Sequence, residues 1–392
     1  MMKLAFRVIV ILMLNFPLAA SPVQSSPDSE KITPLMLQVQ DAPIPFLGSD
    51  SRTHLVYELE LKNFSSANLT IEKLEVLAPD GAVIQTLDEK EIVTRLQPAG
   101  HRDSTATMLG STFALLFLHV TLPANTIAPK TLTHKIHLRA EAAPPGQQEI
   151  TETGGEIAID EQHVVVIGPP LRGKNYVSAD SCCDATRHTR AALPVNGRVW
   201  LAQRYAVDWE QLDDANRIYH GPRENLASYT IFGKEAIAVA DATVASVTDN
   251  LPEQTPGKYP ENIPIAEADG NSVVLDLGNN HFALYAHLQP GKIRVHQGDT
   301  VKRGQVLGLV GNSGNSVAPH LHFHIVNNLS PLAANGQPYE IAAFEVTAKS
   351  PGTSAFDQAE ANGTPLPTTP LTPPQHVTNG LPLDQLIINF QP

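Results

Sequence analysis

The sequence predicts an all-β protein made of two β-rich units, and three observations carry that expectation. Apolar and polar residues alternate with period two over many short runs, as in His54-Leu55-Val56-Tyr57-Glu58-Leu59-Glu60-Leu61. Turn signals such as Pro79-Asp80-Gly81 separate these runs. A single strong break, Gly168-Pro169-Pro170-Leu171-Arg172-Gly173, divides the chain into two such regions.

The first element is not expected to belong to the fold. A basic start, Met1 to Arg7, leads into the almost wholly apolar run Val8 to Ala20 and the small residues Ala19-Ala20-Ser21. That is the layout of a secretory signal peptide over residues 1–21, and the run is short for a bilayer span, which makes a retained anchor the weaker alternative. No later segment reaches membrane-spanning length, so a periplasmic or extracellular protein without a transmembrane segment is expected after cleavage. The 392 residues carry a net charge of −13, which argues against a nucleic-acid partner, because phosphate binding needs clustered Lys and Arg.

Residues 22–50, rich in Ser, Pro and Asp, read as a loose lead-in. Residues 51–168 follow as the first unit. Besides the His54–Leu61 run, Leu69-Thr70-Ile71-Glu72, Lys73–Leu77, Phe113–Val120, Thr131–Leu138 and Val164–Ile167 are strand candidates. Many short strands with turns between them suggest an immunoglobulin-like β-sandwich. Its histidines 119, 134 and 137 read as packing or surface residues. Residues 169–195 read as a linker. They hold the only two cysteines, Cys182 and Cys183, for which a bridge to each other, pairing between chains, free thiols and a metal contact all remain open. Residues 196–346 form the second unit. Residues 347–380, dominated by Pro, Thr, Ser and Gly, read as an extended linker, and 381–392 as a last strand.

The sharpest local feature is Pro319-His320-Leu321-His322-Phe323-His324. Alternate residues of a strand share a face about 6.6 Å apart, so His320 and His322 point into one cavity. Imidazole is both a metal ligand and an acid–base group near neutral pH. His324 shares that face but lies about 13 Å from His320 along a straight strand, too far for all three to hold one ion.

Upstream stand Tyr285-Ala286-His287-Leu288, the spaced glycines 298, 304 and 308, and the turn Gly311-Asn312-Ser313-Gly314-Asn315-Ser316. This stretch resembles the lysostaphin-type (LytM-like) zinc endopeptidases, in which a Y-x-H-L strand precedes a G-x-S/T-G-x-S turn and an H-L-H-F strand. The likeness extends to Arg204–Trp209 and Ile231–Val244, about 150 residues in all, and is specific from 285 to 324. It implies an antiparallel β domain with a long groove, one zinc ion, and peptidoglycan peptides as substrate. It also implies roles: Asp208 and His322 as zinc ligands, His320 as the general base, and His287 as a stabiliser of the developing oxyanion.

The likeness breaks at one ligand. The histidine that should open H-x-x-x-D falls at Arg204, which stays protonated and has no lone pair to offer a cation. A third ligand then has to come from elsewhere, with His188 and His220 as candidates alongside Cys182 and Cys183. Arg204 and Tyr285 are the expected substrate contacts, Arg204 gripping a carboxylate, and His324 stands where the family usually has glutamate, behind the ligands. Three functions stay open: a zinc endopeptidase of the cell wall, a silent relative that binds wall peptides or regulates a hydrolase, and a structural cell-envelope adaptor.

Overall fold

The computed structural model describes residues 33–124, 126–330 and 332–390. The expected signal peptide and the first part of the lead-in lie outside these residues. Among the described residues no helix is long and apolar enough to cross a membrane. The chain is all-β, as its alternation predicts.

Two five-stranded sheets form the N-terminal sandwich. One pairs Leu35–Val39, Thr53–Asn63, Phe113–Leu122 and Leu96–Pro98, with Phe46–Leu47 at its side; the other pairs Glu149–Ala158, Thr131–Ala140, Leu69–Leu77 and Val83–Asp88, with Thr107–Met108 at its side. Inward residues of the alternating strands, including Leu55, Tyr57, Leu59, Ile71, Leu116 and Ile136, bury almost completely between the sheets, which is the burial pattern period-two sequences are built to give. The lead-in is more ordered than its composition suggests: Leu35–Val39 pairs in register with Leu59–Asn63. Its side chains at 35 and 39 bury, and that apolar gain outweighs the nearby prolines and serines.

An eleven-stranded sheet builds the second unit. Its path runs through Val165–Ile167, Tyr339–Lys349, Leu386–Phe390, Gly173–Ala179, Val207–Gln211, Leu321–Val326, Phe282–Leu288, Asn271–Asp276, Ala242–Thr248 and Thr300–Val301, with Thr369–Gly380 on the Tyr339–Lys349 strand. Two expected linkers are therefore part of it. Residues 169–195 supply the strand Gly173–Ala179, which pairs with Val207–Gln211, and the short helix Thr186–Thr189. Residues 347–380 supply the helix Thr353–Asn362 and the strand Thr369–Gly380. That strand contacts a partner on one side alone, and an edge position tolerates its prolines because the missing N–H groups would face outward.

Polar contacts join the two units. Glu58, on the sandwich and 0% exposed, takes two hydrogen bonds from Arg204: Nε to Oε1 at 3.0 Å and Nη2 to Oε2 at 2.6 Å. Arg95 and His119 of the sandwich meet Asp184 at 2.7 and 2.9 Å. Phe46 stacks edge-on against Tyr205.

Candidate active site

The strand Val207–Gln211 sits between Gly173–Ala179 and Leu321–Val326. Alternation sends Val207 and Trp209 into the core and leaves Asp208 and Glu210 on the opposite face. On the neighbouring strand Leu321, Phe323 and Ile325 enter the same core, so His322 and His324 face the other way. Cross-strand register then sets Asp208 directly beside His322, and His322 beside Ala286. A carboxylate and an imidazole separated by 114 residues meet at 2.8 Å, Asp208 Oδ1 to His322 Nδ1.

Asp208 is the hub of the cluster. His188 Nε2 lies 3.3 Å from Oδ2, and His320 Nε2 lies 3.4 Å from Oδ1. The ligand atoms of His188, Asp208 and His322 all fall within 4.8 Å of one another, as do those of His287, His320 and His322. These side chains line a groove of about 330 Å³.

Each imidazole is oriented by an anchor on its far nitrogen. His188 Nδ1 donates to the Asp180 carbonyl at 2.8 Å, His320 Nδ1 to the Ala318 carbonyl at 2.8 Å, and His287 Nδ1 to the Ser313 carbonyl at 2.8 Å. His322 Nε2 faces His324 Nδ1 at 2.9 Å. Anchoring one nitrogen fixes both the tautomer and the direction of the other, which is how metal-binding histidines are held. Two imidazole nitrogens and a carboxylate converging on one point also suit the N and O preferences of zinc. The donor set fits that ion.

The turn Gly311–Ser316 supplies much of this positioning. Ser313 offers its carbonyl to His287, and Ser316 Oγ lies 3.3 Å from His320 Nδ1. Gly314 takes φ +75°, and a Cβ there would collide with the Gly270 backbone, so glycine is required. His287 itself holds φ +61°. Its N–H donates to Asp269 and its carbonyl accepts from Gly311. Such backbone strain in a non-glycine residue persists where surroundings over-determine it, commonly at working sites.

Charge is divided unevenly over the cluster. Burial works against a charge on His188, yet the facing Asp208 and Asp180 carboxylates hold its pKa up to about 9. His320 is likewise raised by Asp208 against its burial. Burial, together with the neighbouring imidazoles, lowers His322 and pushes His287 well down. Asp208 resists its own burial and stays well below the usual range because His188 and His320 face it.

Several expected residues lie elsewhere. His220 is exposed, with Nδ1 toward Arg217. Cys182 and Cys183 are joined to each other and buried, which leaves no thiolate to serve as a ligand. Arg204 does not line the groove: it is buried, and its Nε and Nη2 are bonded to Glu58. Tyr285 is fully buried under the sheet, its hydroxyl accepting from the Val239 N–H at 2.9 Å, so it does not reach the groove either. His54, His119 and Cys183 form a further ligand-like group at the junction of the units, but Asp50 and Asp184 already partner the two histidines.

The sequence reading passed over Asp180, Glu210 and Glu360, which also line the groove. Glu210 was detectable, two residues beyond Asp208 on the same face; Asp180 and Glu360 sit in segments whose composition read as linker.

Residues 229–335 match peptidase family M23. Over 191 residues the chain is 43% identical to the peptidoglycan DD-endopeptidase ShyA of Vibrio cholerae, a stretch covering 46% of this chain and 41% of that one. Over 67 residues it is 40% identical to lysostaphin of Staphylococcus simulans, covering 17% of this chain and 13% of that one. The crystallized catalytic domain of that lysostaphin aligns with 42% of this chain and 86% of its own at 23% identity, with a TM-score of 0.22. The chain spans less than half the length of the curated relatives it matches.

Proposed function

We propose that this chain, which carries a peptidase family M23 domain over residues 229–335, is an exported zinc endopeptidase that cuts peptide bonds in peptidoglycan. The observation that carries the reading is the placement of His188. Its Nε2 joins Asp208 and His322 to complete three converging ligand atoms, so the position lost to Arg204 is supplied from another segment. The relationship to a DD-endopeptidase supports peptidoglycan as substrate, and the basic-then-apolar start of the sequence supports export.

His188, Asp208 and His322 would hold the ion. Bound there, zinc polarises the scissile carbonyl and lowers the pKa of water. Burial lowers the pKa of His320, but the facing Asp208 outweighs it and strengthens the hold of the ring on a proton. Once Asp208 is engaged as a ligand that hold weakens, and His320 Nε2 is free to take the proton of the attacking water and later return it to the leaving amine. His287 has its Nδ1–H committed to Ser313. Its Nε2 is left for the groove; because burial and the neighbouring imidazoles hold its pKa well down, it takes up a proton only as negative charge develops on the carbonyl oxygen beside it, and that proton then stabilises the charge. His324 steadies His322 from behind.

Metal analysis of full-length protein purified without chelators tests the assignment, together with digestion of purified cell-wall sacculi. One zinc per chain is expected, lost in His188→Ala and in Asp208→Ala. His320→Ala should keep the zinc and lose at least about a hundredfold in cleavage rate, the usual scale of general-base catalysis. Zinc content unchanged by His188→Ala overturns the ligand set. Metal-free wild-type protein that still binds sacculi supports a silent binding protein instead.

A further inference from the structure

Beside the histidine cluster the same groove holds carboxylates whose oxygens lack donors. Glu210, on the Asp208 strand and facing the same way, is 5% exposed, and its Oε2 has no hydrogen-bond partner among the described residues. Asp180, 4% exposed, has Oδ1 in the same condition. Glu360 reaches the groove from the helix Thr353–Asn362.

Neither nearby arginine answers this need, and His320 turns its Nε2 to Asp208. Arg187 is spent on Asp180 Oδ2 at 2.7 Å and on Asp357 at 2.8 Å. Arg223 makes no ion pair with Glu210 or Glu360 among the described residues, and its own Nε is also without an acceptor. Nor do these carboxylates gather into a metal-holding group: the groups of three close ligand atoms include neither Glu210 nor Glu360. A buried carboxylate lacking a donor is unfavourable unless a cation or donor arrives. A primary ammonium matches, since it brings one positive charge and three donors on a thin stem.

We propose that the Glu210–Glu360 side of the groove is a binding subsite for a primary ammonium group of the substrate peptide, carried on a side chain or chain terminus close to the bond that is cut. This rests on the reading of the groove as a peptidase site, and it narrows the substrate class to amine-bearing wall peptides. Glu210 and Glu360 act in binding, and the histidine cluster acts in the chemistry.

The test uses two otherwise identical wall-peptide fragments, one with its primary amine free and one acetylated at it. Cleavage by the zinc-loaded full-length protein gives KM and kcat. Calorimetric binding to full-length His320→Ala gives affinity without turnover. Acetylation should raise KM, and weaken binding, about tenfold, the scale of one charge-assisted contact, with kcat within about twofold. In Glu210→Gln and Glu360→Gln, each checked for zinc content and folded spectrum, the preference should shrink to about twofold.

Equal KM and equal affinity for the two fragments overturn the subsite while leaving the peptidase reading intact, and point to two glutamates that share a proton instead. A preference undiminished in both variants overturns it as well. If neither fragment is cut but the free amine still binds about tenfold better, the subsite stands and the peptidase reading falls.

Discussion

At the scale of single residues, Arg204 shows how a local pattern and a distant partner decide different things. The sequence places it where a ligand histidine belongs, and the structure gives it to Glu58, 146 residues away. Both charges are buried, so each depends on the other. Arg204→Met should destabilise the protein by about 3–5 kcal/mol, the cost of stranding a buried carboxylate, measured by urea unfolding. Zinc content should be unchanged, and Glu58→Leu added to the same chain should recover most of the loss. Loss of zinc in the single variant with stability intact would mean that Arg204 serves the site after all. The convergence of the histidines at 287, 320 and 322 was legible because period-two alternation and the turn at 311–316 are local. The partner of Arg204 was not, because nothing within a few residues of position 204 marks Glu58.

Among the elements, alternation was legible wherever both neighbours of a strand are apolar on one face. The misread elements are those whose order comes from distant pairing. Thr369–Gly380 carries Pro370, Pro373 and Pro374, yet it holds its place because Tyr339–Lys349 pairs with it and an edge forgives proline. Gly173–Ala179 looked like linker because its partners begin more than thirty residues later, at Val207. In the sandwich, the edge strand Leu35–Val39 is tied across the layers by the Leu35 N–H donating to Glu152 Oε1 at 3.2 Å. Burial pushes the Glu152 carboxyl up from 4.5 to about 7. The folded protein therefore holds this proton over a window in which the unfolded chain has released it. The stabilisation is full below about 4.5 and is lost as pH rises through about 7. Melting curves at pH 5 and pH 7.5 should show a drop in Tm that is smaller in Glu152→Gln than in wild type; an identical drop in both would remove Glu152 as its source.

For the whole molecule, the decisive arrangement is that the chain's last strand lies inside the large sheet. Leu386–Phe390 sits between Gly173–Ala179 and Tyr339–Lys349, with Ile388 and Phe390 in the core. A chain ending at residue 380 should open the sheet at that seam, so soluble yield and near-ultraviolet circular dichroism should both collapse; a soluble truncated protein with native spectra would contradict this packing. The Gly-Pro break falls after a strand of the large sheet, since Val165–Ile167 pairs with Tyr339–Ile341 rather than with the sandwich, and the closure of that sheet by Gly173–Ala179 and Leu386–Phe390 was not legible either, since no local pattern encodes such distant pairing. The residues just before that last strand also brace the loop that bears His188. Ser181 Oγ donates to the Pro382 carbonyl at 2.6 Å, the Ser181 N–H donates to Asp384 at 3.0 Å, and Cys182 bridges to Leu383. Every side chain of the histidine cluster thus precedes, in sequence, the strand whose packing braces it. Loss of Leu386–Phe390 should therefore loosen the His188 loop, and the cluster around Asp208 with it, without deleting any side chain of that cluster.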